Sequence, residues 1–389
     1  MSVLTLTDPG TVDPASDQVR YSFPVVRIPR WSGWKRLLRF PLTIFSIVRH
    51  GRGADLLYVN GLALESCLAR RLIRKPMVMK VVGDLAWERA RTQGLTQLNL
   101  DEFQRVASDS PGASQAAVSP TLPTLPGKVR RTAALRSWWT RQADLVIVPS
   151  RYLGRIVAGW GLDPGKIEVV YNGVAAPEDL TGSAAELPAS FAGRKLLVTV
   201  GRLVAWKHVD RLIEAVAELD EVALVVVGDG PLKQQLQTLA ESAEGGVGER
   251  VHFAGQVTQQ EAMGWMKRAD LVVLNSTYEG LPHVIVEACL LGKAVAATDA
   301  GGTFEVLEGY PGATRLKPGD SVGGLVGQLK EALLGLPSAR EEDAQSSPQS
   351  HAFSRKTLFS RESMLSRTTE LLVAALEGSP VARSRAPEQ

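Results

Sequence analysis

The chain is poor in the residues that form disulfide frameworks. It has two cysteines among 389 residues, and Cys67 and Cys289 lie far apart in the sequence with no histidine cluster beside either of them. Both stand in apolar stretches with helical spacing. We therefore interpret them as buried free thiols in a reducing compartment rather than as a disulfide pair.

Strong charge and long apolar runs are also lacking. The net charge of +3 is too small to indicate a nucleic-acid partner. No charged N-terminal segment precedes an apolar core, so no signal peptide is predicted. The most apolar early stretch, residues 40–48, is far shorter than a membrane span. Together these features predict a cytoplasmic protein that binds no nucleic acid.

Short apolar runs alternate with segments of helical spacing along the chain, which predicts parallel sheets in an α/β fold. The length allows two domains of ordinary size. The predicted strands are Val3–Leu6, Tyr21–Val26, Leu56–Val59, Met77–Val82, Leu145–Val148, Ile167–Val170, Leu196–Val200, Val222–Val227, Val251–Phe253, Leu271–Leu274 and Ala294–Thr298. The predicted parts are a first domain (1–174), a linker (175–195), a second domain (196–354), a final helix (355–378) and a disordered tail (379–389).

Residues 27–53 combine Arg and Lys with aromatic side chains such as Trp31 and Phe45. Basic residues interleaved with aromatics are typical of segments that lie on an anionic membrane surface. An amphipathic helix packed on the sheet, with a solvated basic face, would have the same composition. The pattern favours the two interpretations about equally.

Polar residues of the second half follow the predicted strands directly, where a doubly wound sheet binds its ligand. Arg202 and Lys207 come after one strand, Gly228–Gly230 after the next, and Gly255–Val257 after the third. A lone lysine is usually a solvated surface cation, but two cations five positions apart at a helix entrance suit a diphosphate. Each charge-assisted hydrogen bond there contributes about 1.5–3 kcal/mol.

Two glutamates follow the fourth predicted strand of the second half. Glu279 lies in a loop, and Glu287 lies eight positions later inside an apolar helix. Eight helical residues span roughly 12 Å, whereas the carboxylates of a retaining hydrolase stand about 5 Å apart. A clamp on an elongated ligand fits this spacing better than an acid–base pair does. Burial among apolar neighbours also means that Glu287 needs a partner.

The motifs of the whole chain together resemble those of the GT-B glycosyltransferases of family 4. The matching segments are KVVGDLAWE, ADLVIVPS, VVYNGV, VTVGRLVAWKHVDRLIEAVAEL, LVVVGDGPLKQQL, VHFAGQV and ADLVVLNSTYEGLPHVIVEACLLGKAVAATDAGG. The resemblance implies two Rossmann-like doubly wound domains facing a cleft, with the final helix crossing back to the first domain. It further implies sugar transfer from a nucleotide-sugar with retention of configuration, with neither a required metal nor a resident cofactor.

The resemblance also implies roles for individual residues. Arg202 and Lys207 would bind the diphosphate of a UDP- or GDP-sugar, and Glu287 would bind its ribose. The sugar would be held by Glu279 as a catalytic-site residue, together with the backbone of Gly280, Leu281 and Pro282, while Gln256 and Val257 would border the base.

In the first domain, Asp84 is the candidate to orient or deprotonate the acceptor. Its alternative interpretation is a cap for the helix that starts at Leu85. Relatives usually open with a strand and a Gly-Gly loop, whereas this chain opens with MSVLTLTDPG, which resembles their second strand. We therefore expect the first domain to lack its first strand and helix, with an exposed sheet edge as the result.

The leading hypothesis is a retaining glycosyltransferase of cell-envelope glycan synthesis with a lipid-linked or saccharide acceptor. It would act in the cytoplasm, with residues 27–53 as a candidate contact to the inner face of the plasma membrane. A competing hypothesis is a non-catalytic relative that binds nucleotide-sugar or a partner protein. A nucleotide-sugar epimerase on the same fold matches the motifs less closely.

Overall fold

The computed structural model describes most of the chain. The described residues are 1–7, 22–31, 33, 35–107, 124–174, 186–243, 245–317, 321–336 and 355–378. Residues 175–185 of the predicted linker and the whole predicted tail, 379–389, lie outside them. The predicted domain boundaries remain predictions.

Twelve strands are found in the described part of the chain. They are β1 (Val3–Thr7), β2 (Val25–Pro29), β3 (Leu57–Val59), β4 (Met77–Lys80), β5 (Leu145–Val148), β6 (Ile167–Val169), β7 (Lys195–Val200), β8 (Val222–Val227), β9 (Val251–Gly255), β10 (Leu271–Leu274), β11 (Val295–Thr298) and β12 (Ala313–Leu316). All strand pairs are parallel, as the alternation of strands and helices predicts.

The α-helices connect these strands and cover the sheets. They are α1 (Lys35–Gly51), α2 (Ala63–Ile73), α3 (Leu85–Thr92), α4 (Leu100–Ala107), α5 (Gly127–Arg141), α6 (Arg151–Ala158), α7 (Val209–Ala217), α8 (Lys233–Ser242), α9 (Val247–Arg250), α10 (Gln259–Arg268), α11 (His283–Leu290), α12 (Thr303–Leu307), α13 (Val322–Leu334) and α14 (Arg361–Glu377). Short 3-10 turns occur at 164–166, 189–191, 205–207 and 356–359.

The second half of the chain forms one six-stranded sheet in the order β12-β11-β10-β7-β8-β9. Its central strands are buried on both faces, and every residue of β8 and β10 is inaccessible to solvent. Helices on both faces explain why these strands are continuous apolar runs instead of alternating patterns. This is a doubly wound sheet, so its ligand-binding edge lies at the carboxyl ends of the strands.

The first half of the chain divides its strands between two sheets. One has the order β3-β4-β5-β6, and the other consists of β1 and β2 alone. Within the described residues, β1 and β3 each keep one edge without a strand partner. Helices α1 and α2 bridge the two sheets, since Ile47 of α1 and Ala69 of α2 bury a small core with Leu4 of β1. The α/β fold with two parallel-sheet halves is confirmed, and the expected lack of a first strand remains a prediction.

Two strands differ from the sequence prediction. The predicted strand Tyr21–Val26 lies at Val25–Pro29 in the structure. The edge strand β12 was not predicted, because its residues, Ala-Thr-Arg-Leu, contain no apolar run and only Leu316 is buried. A strand at the edge of a sheet is covered less, so its sequence signal is weaker.

The last helix, α14, packs against the sheet of the first domain. Leu371 is fully buried in a cluster with Val78, Leu145 and Ile147 of β4 and β5. Its neighbour Arg367 forms an ion pair with Glu168 of β6 at 3.2 Å. The chain therefore passes from the second domain back to the first.

Candidate active site

Lys207 and Glu279 meet at the carboxyl ends of the second sheet. The loop after β7 carries Arg202 and Lys207, and the loop after β10 carries Glu279. Lys207 Nζ lies 2.5 Å from Glu279 Oε1, and both side chains are mostly shielded from solvent. Arg202 is exposed and forms no ion pair with the residues that the structure describes. The two loops thus present the Lys207–Glu279 ion pair, and the first of them also carries an exposed cation, Arg202.

Glycine allows the Glu279 loop to pack directly on the loop after β11. Gly301 has a φ of +58°, and a Cβ there would collide with the carbonyl oxygen of Glu279. The same carbonyl accepts a hydrogen bond of 3.0 Å from the amide of Gly302. Backbone contact between the two loops therefore fixes the position of Glu279.

The loop after β8 packs on the Arg202 loop in the same way. Gly228 has a φ of +132°, and a Cβ there would collide with the carbonyl oxygen of Gly201. The amide of Leu203 donates to the carbonyl of Asp229 at 2.9 Å. The predicted Gly228–Gly230 turn therefore supports the backbone that carries Arg202.

Glu287 is buried on α11 and accepts a hydrogen bond of 2.7 Å from Gln259 Nε2. Burial raises the pKa of the Glu287 carboxyl, and the hydrogen bond from Gln259 opposes the rise. The expectation that this carboxylate needs a partner is met by Gln259 on α10, which the sequence did not identify.

Gln256 and Val257 lie between β9 and α10. Gln256 is exposed, and Val257 is half-buried against the core of the second domain. Thr258 then caps α10 in a full capping box with Glu261, as the Thr-x-x-Glu spacing predicts. The cap holds the two residues before it at the rim of the strand-end loops.

Gly280, Leu281 and Pro282 form the contact with the first domain. The hydroxyl of Ser150 donates a hydrogen bond of 2.6 Å to the carbonyl of Gly280. A Cβ on Gly280 would lie 2.6 Å from the carbonyl oxygen of Val82. Leu281 and Pro282 are buried. The segment predicted to hold the sugar therefore lies against the loops that follow β4 and β5.

Glu305 on α12 joins the domains in a way that the sequence did not indicate. Its carboxylate accepts hydrogen bonds from the backbone amides of Arg151 at 2.8 Å and Tyr152 at 2.7 Å. It also accepts one of 3.1 Å from the hydroxyl of Tyr171. A carboxylate of the second domain thus satisfies the first amides of α6, where the helix dipole favours negative charge.

Aromatic side chains close the contact on its other side. The ring of Trp87 on α3 lies 5.3 Å from that of Trp206 and 4.8 Å from that of Tyr278, measured between centroids. All three side chains are buried. Because Trp206 precedes Lys207 and Tyr278 precedes Glu279, this cluster ties the ion pair to the first domain.

Asp84 is completely buried at the start of α3. Its carboxylate accepts from the amides of Ala86 and Trp87 at 2.9 and 3.2 Å and from Gln104 Nε2 at 2.6 Å. It also forms an ion pair with the buried guanidinium of Arg136. The helix cap, the alternative interpretation of this residue, is confirmed. The predicted role towards an acceptor remains a prediction, and it requires the carboxylate to leave these partners.

Neither a metal cluster nor a membrane span is found in the described parts of the chain. They contain no group of three or more His, Cys, Asp or Glu side chains that could hold a metal ion. None of the helices in the described ranges is long and apolar enough to cross a bilayer.

Two parallel-sheet halves meet at the loops that carry the Lys207–Glu279 ion pair, and this arrangement defines a protein of two Rossmann-like halves. Comparison with known families agrees. Residues 1–173 match the glycosyl transferase 4-like domain, and residues 186–340 match the glycosyl transferases group 1.

Individual relatives are similar over parts of the chain. The lipopolysaccharide core biosynthesis glycosyltransferase LpsD of Rhizobium meliloti is 35% identical over 165 residues, which are 42% of this chain and 46% of the relative. The Vi polysaccharide biosynthesis protein VipC/TviE of Salmonella typhi is 32% identical over 41% of this chain and 29% of its own length. These matches span less than half of either relative.

Solved structures match over nearly the whole chain. Anabaena Alr3699/HepE in complex with UDP-glucose superposes with a TM-score of 0.66 and 22% identity, covering 96% of this chain and all of the other. At this identity the likeness shows the fold, which is GT-B. With the two family models, it establishes that the chain belongs to the GT-B glycosyltransferases of family 4.

Proposed function

We propose that the protein is a retaining, metal-independent glycosyltransferase that moves a sugar from a UDP- or GDP-sugar to a lipid-linked or saccharide acceptor. Its proposed pathway is cell-envelope glycan synthesis, because the similar relatives carry lipopolysaccharide and polysaccharide biosynthesis in their names. The UDP-glucose complex of the Anabaena structure supports a nucleotide-sugar as the donor.

The observation that carries the proposal is the Lys207–Glu279 ion pair at the domain contact, on loops that also carry the exposed Arg202. Lys207 has a partner within the protein, whereas the exposed guanidinium of Arg202 is open to an incoming anion. A diphosphate entering here would bind Arg202 and Lys207 together. Glu279 would then be released to accept hydroxyl hydrogen bonds from the sugar.

In the proposed reaction the bond between the anomeric carbon and the diphosphate oxygen breaks, and its electron pair leaves with the nucleoside diphosphate. Arg202 and Lys207 stabilise the negative charge that develops on this leaving group. Glu287, which accepts a hydrogen bond from Gln259, holds the ribose hydroxyls at the other end of the donor. Gln256 and Val257 border the base.

The test is transfer from radiolabelled UDP-glucose and GDP-mannose into a bacterial membrane extract by the purified full chain. We expect label to enter the lipid or polysaccharide fraction with one of the donors, and the anomeric configuration of the product to match that of the donor. An inverted product would contradict retention. Activity that disappears with EDTA and returns with Mg²⁺ would contradict metal independence.

A non-catalytic relative is the second candidate, and the divided sheet of the first domain favours it. Strands β1 and β2 form a sheet apart from β3–β6, so the acceptor side is less continuous than the donor side. This candidate predicts that the folded protein binds UDP or GDP in calorimetry but transfers label to no acceptor in the extract.

Helix α1 supports the proposal of a peripheral contact with an anionic membrane. One face is packed, because Ile47 and Val48 are buried against α2. Elsewhere along the helix Leu37 is 80% exposed and Phe45 is 63% exposed, so the exposed surface of α1 is not purely basic. Exposed basic residues follow at the end of this helix, at Arg49 and Arg52. Apolar insertion flanked by cations is how amphipathic helices bind anionic bilayers.

Vesicle sedimentation tests this contact. We expect the full chain to bind vesicles that contain phosphatidylglycerol, to bind weakly to pure phosphatidylcholine, and to dissociate as salt is raised. Phe45→Ser should weaken binding several-fold. Leu334→Ser is the matched control, because Leu334 is 86% exposed in the second domain. Equal loss in both variants, or salt-insensitive binding, would favour the packed-helix alternative.

A further inference from the structure

Glu88 on α3 is a partly buried carboxylate at the contact between the domains. Its Oε1 atom lies over Gly83 so closely that a Cβ on that residue would collide with it. The hydroxyl of Tyr278, from the second domain, lies 2.9 Å from the same point. The carboxylate of Glu88 forms no hydrogen bond or ion pair with the other residues that the structure describes, whereas its backbone amide and carbonyl are bonded to Asp84 and Thr92. A half-buried carboxylate without a partner costs free energy, which is characteristic of functional sites.

The charges around Glu88 come from both domains. Burial and the neighbouring charge of Asp84 raise the pKa of the Glu88 carboxyl to about 7, and Arg202 of the second domain acts against the rise. Asp84 is held in place by Arg136. Tyr278 is a further titratable neighbour, and burial and Glu88 raise its pKa well above the usual value. Near neutral pH, Glu88 therefore exists in both its charged and its neutral form.

Glu88 also lines a cavity in the first domain. The cavity measures about 870 Å³, and residues of the first domain alone form its walls. Apolar Leu6 and Phe40 contribute to the walls together with polar Asn60 and cationic Arg89. Glu88 thus lines this cavity and also lies within electrostatic reach of Arg202, the cation that we assign to the donor diphosphate.

We propose that an acceptor hydroxyl lies in this cavity and that Glu88 is the base that takes its proton. This inference rests on the proposed function. The acceptor oxygen bonds to the anomeric carbon, the bond from that carbon to the diphosphate oxygen breaks, and its electron pair leaves with the nucleoside diphosphate. The hydroxyl proton passes to the Glu88 carboxylate. Because Glu88 faces Arg202, this base stands on the leaving-group side, where attack with retention takes place.

Donor binding makes the base stronger. The positive charge of Arg202 stabilises the ionised form of Glu88 in the free protein. A diphosphate bound to Arg202 neutralises that charge, and its own negative charge raises the proton affinity of Glu88 further. The carboxylate is therefore a better proton acceptor when a donor occupies the site.

Three measurements on the full chain test the proposal. Carboxyl ¹³C NMR of the glutamate-labelled protein, assigned with Glu88→Gln, should show Glu88 titrating near pH 7 and moving upward when UDP is added. The kcat for transfer from the active labelled donor into membrane extract should rise with pH through the higher, donor-bound value, because kcat reports the pKa of the enzyme–substrate complex. Glu88→Gln should lose at least 100-fold in kcat and show no such rise, because a positioned base contributes about 10²–10⁴-fold.

Glu241→Gln is the matched control, because Glu241 is exposed on α8 in the second domain and the change of charge is the same. It should leave kcat, KM and the pH profile unchanged. Because bound UDP favours the neutral form of Glu88, Glu88→Gln should bind UDP at least as tightly as the unaltered protein in calorimetry. Formate should restore part of the transfer in Glu88→Ala. If Glu88 had only a structural role, Glu88→Gln would keep the rise of kcat with pH, and formate would not restore transfer in Glu88→Ala.

The outcomes separate the two proposals. Transfer by Glu88→Gln at the rate and with the pH profile of the unaltered protein would overturn the inference about Glu88 alone. A Glu88 resonance that titrates near pH 4 in both free and UDP-bound protein would do the same. Failure of the unaltered protein to transfer label from any donor would sink the proposed function and this inference with it.

Discussion

The two domains hold their functional loops by different means. In the second domain, glycines let one loop's backbone rest on another's, as Gly301 does at the carbonyl of Glu279 and Gly228 does at that of Gly201. In the first domain, the loop after β4 is held by side chains. Asp84 is bound by Arg136, and Trp87 packs on residues of the second domain. Backbone contacts leave a local motif in the sequence, whereas side-chain contacts join residues far apart along it.

The largest expected effect is a loss of stability at the loop after β4, which side chains hold in place. Arg136→Met removes one partner of a buried ion pair and leaves the charge of Asp84 unpaired where no solvent reaches it. Breaking such a pair costs about 3–5 kcal/mol. We expect a loss of this size in the free energy of unfolding, measured by urea denaturation followed by circular dichroism.

Its control is Arg211→Met, which breaks an exposed pair with Glu214 at 3.4 Å. Exposed pairs contribute less than about 1 kcal/mol. Similar losses in the two variants would show that the Asp84–Arg136 pair does not hold this loop, and the contrast between the domains would fail.

The next largest effect is expected at the loop that carries Glu279, which backbone contacts hold in place. In Gly301→Ala the new methyl group must displace the carbonyl of Glu279, in addition to the strain of a left-handed alanine. We expect a loss of about 2–4 kcal/mol in stability, from about 1–3 for overpacking and about 1 for strain. Weaker UDP-glucose binding should accompany it, because Glu279 moves.

Gly309→Ala separates the two causes. Its φ is +71°, yet nothing lies within 4 Å of a Cβ there. Its stability should therefore fall only by the strain of a left-handed alanine, about 1 kcal/mol. Its donor affinity should not change. If the two alanine variants were equally stable, close packing of the loops would not be what fixes Glu279.

The smallest expected effect concerns the ligand alone. Lys207→Ala removes a cation from the proposed diphosphate site, so UDP binding should fall about 10- to 100-fold, the equivalent of about 1.5–3 kcal/mol. Isothermal titration should show little change for uridine, which lacks the phosphates. Lys267→Ala, on the exposed side of α10, is the control. Equal losses for UDP and uridine would contradict the assignment of Lys207 to the diphosphate.

Much of the second domain was predictable from local sequence. Its strands are buried on both faces, so the runs Val222–Val227 and Leu271–Leu274 contain only apolar residues and were assigned at their true bounds. The edge strand Ala313–Leu316 was not predicted, because only one of its residues is buried. The first domain was harder, since its β2 is only half-buried and its predicted position was displaced towards the N-terminus.

The sequence by itself determined the alternation of strands and helices, the loops that carry Arg202, Lys207, Glu279 and Glu287, and the membership of the family. Local rules suffice there, because strand-end loops of a parallel sheet meet at one edge whatever the details of packing. Only the tertiary structure decided which of these groups are paired. It joined Lys207 to Glu279, gave Glu287 the partner Gln259, and buried Asp84 with Arg136.

Glu88 illustrates the same division. In the sequence it is one charged residue of an ordinary helix. Its position beneath Tyr278 and near Arg202 depends on how two domains meet, because Glu88 and Tyr278 are 190 positions apart along the chain. Burial and charge at such a contact are sums over distant parts of the chain, so no local pattern encodes them.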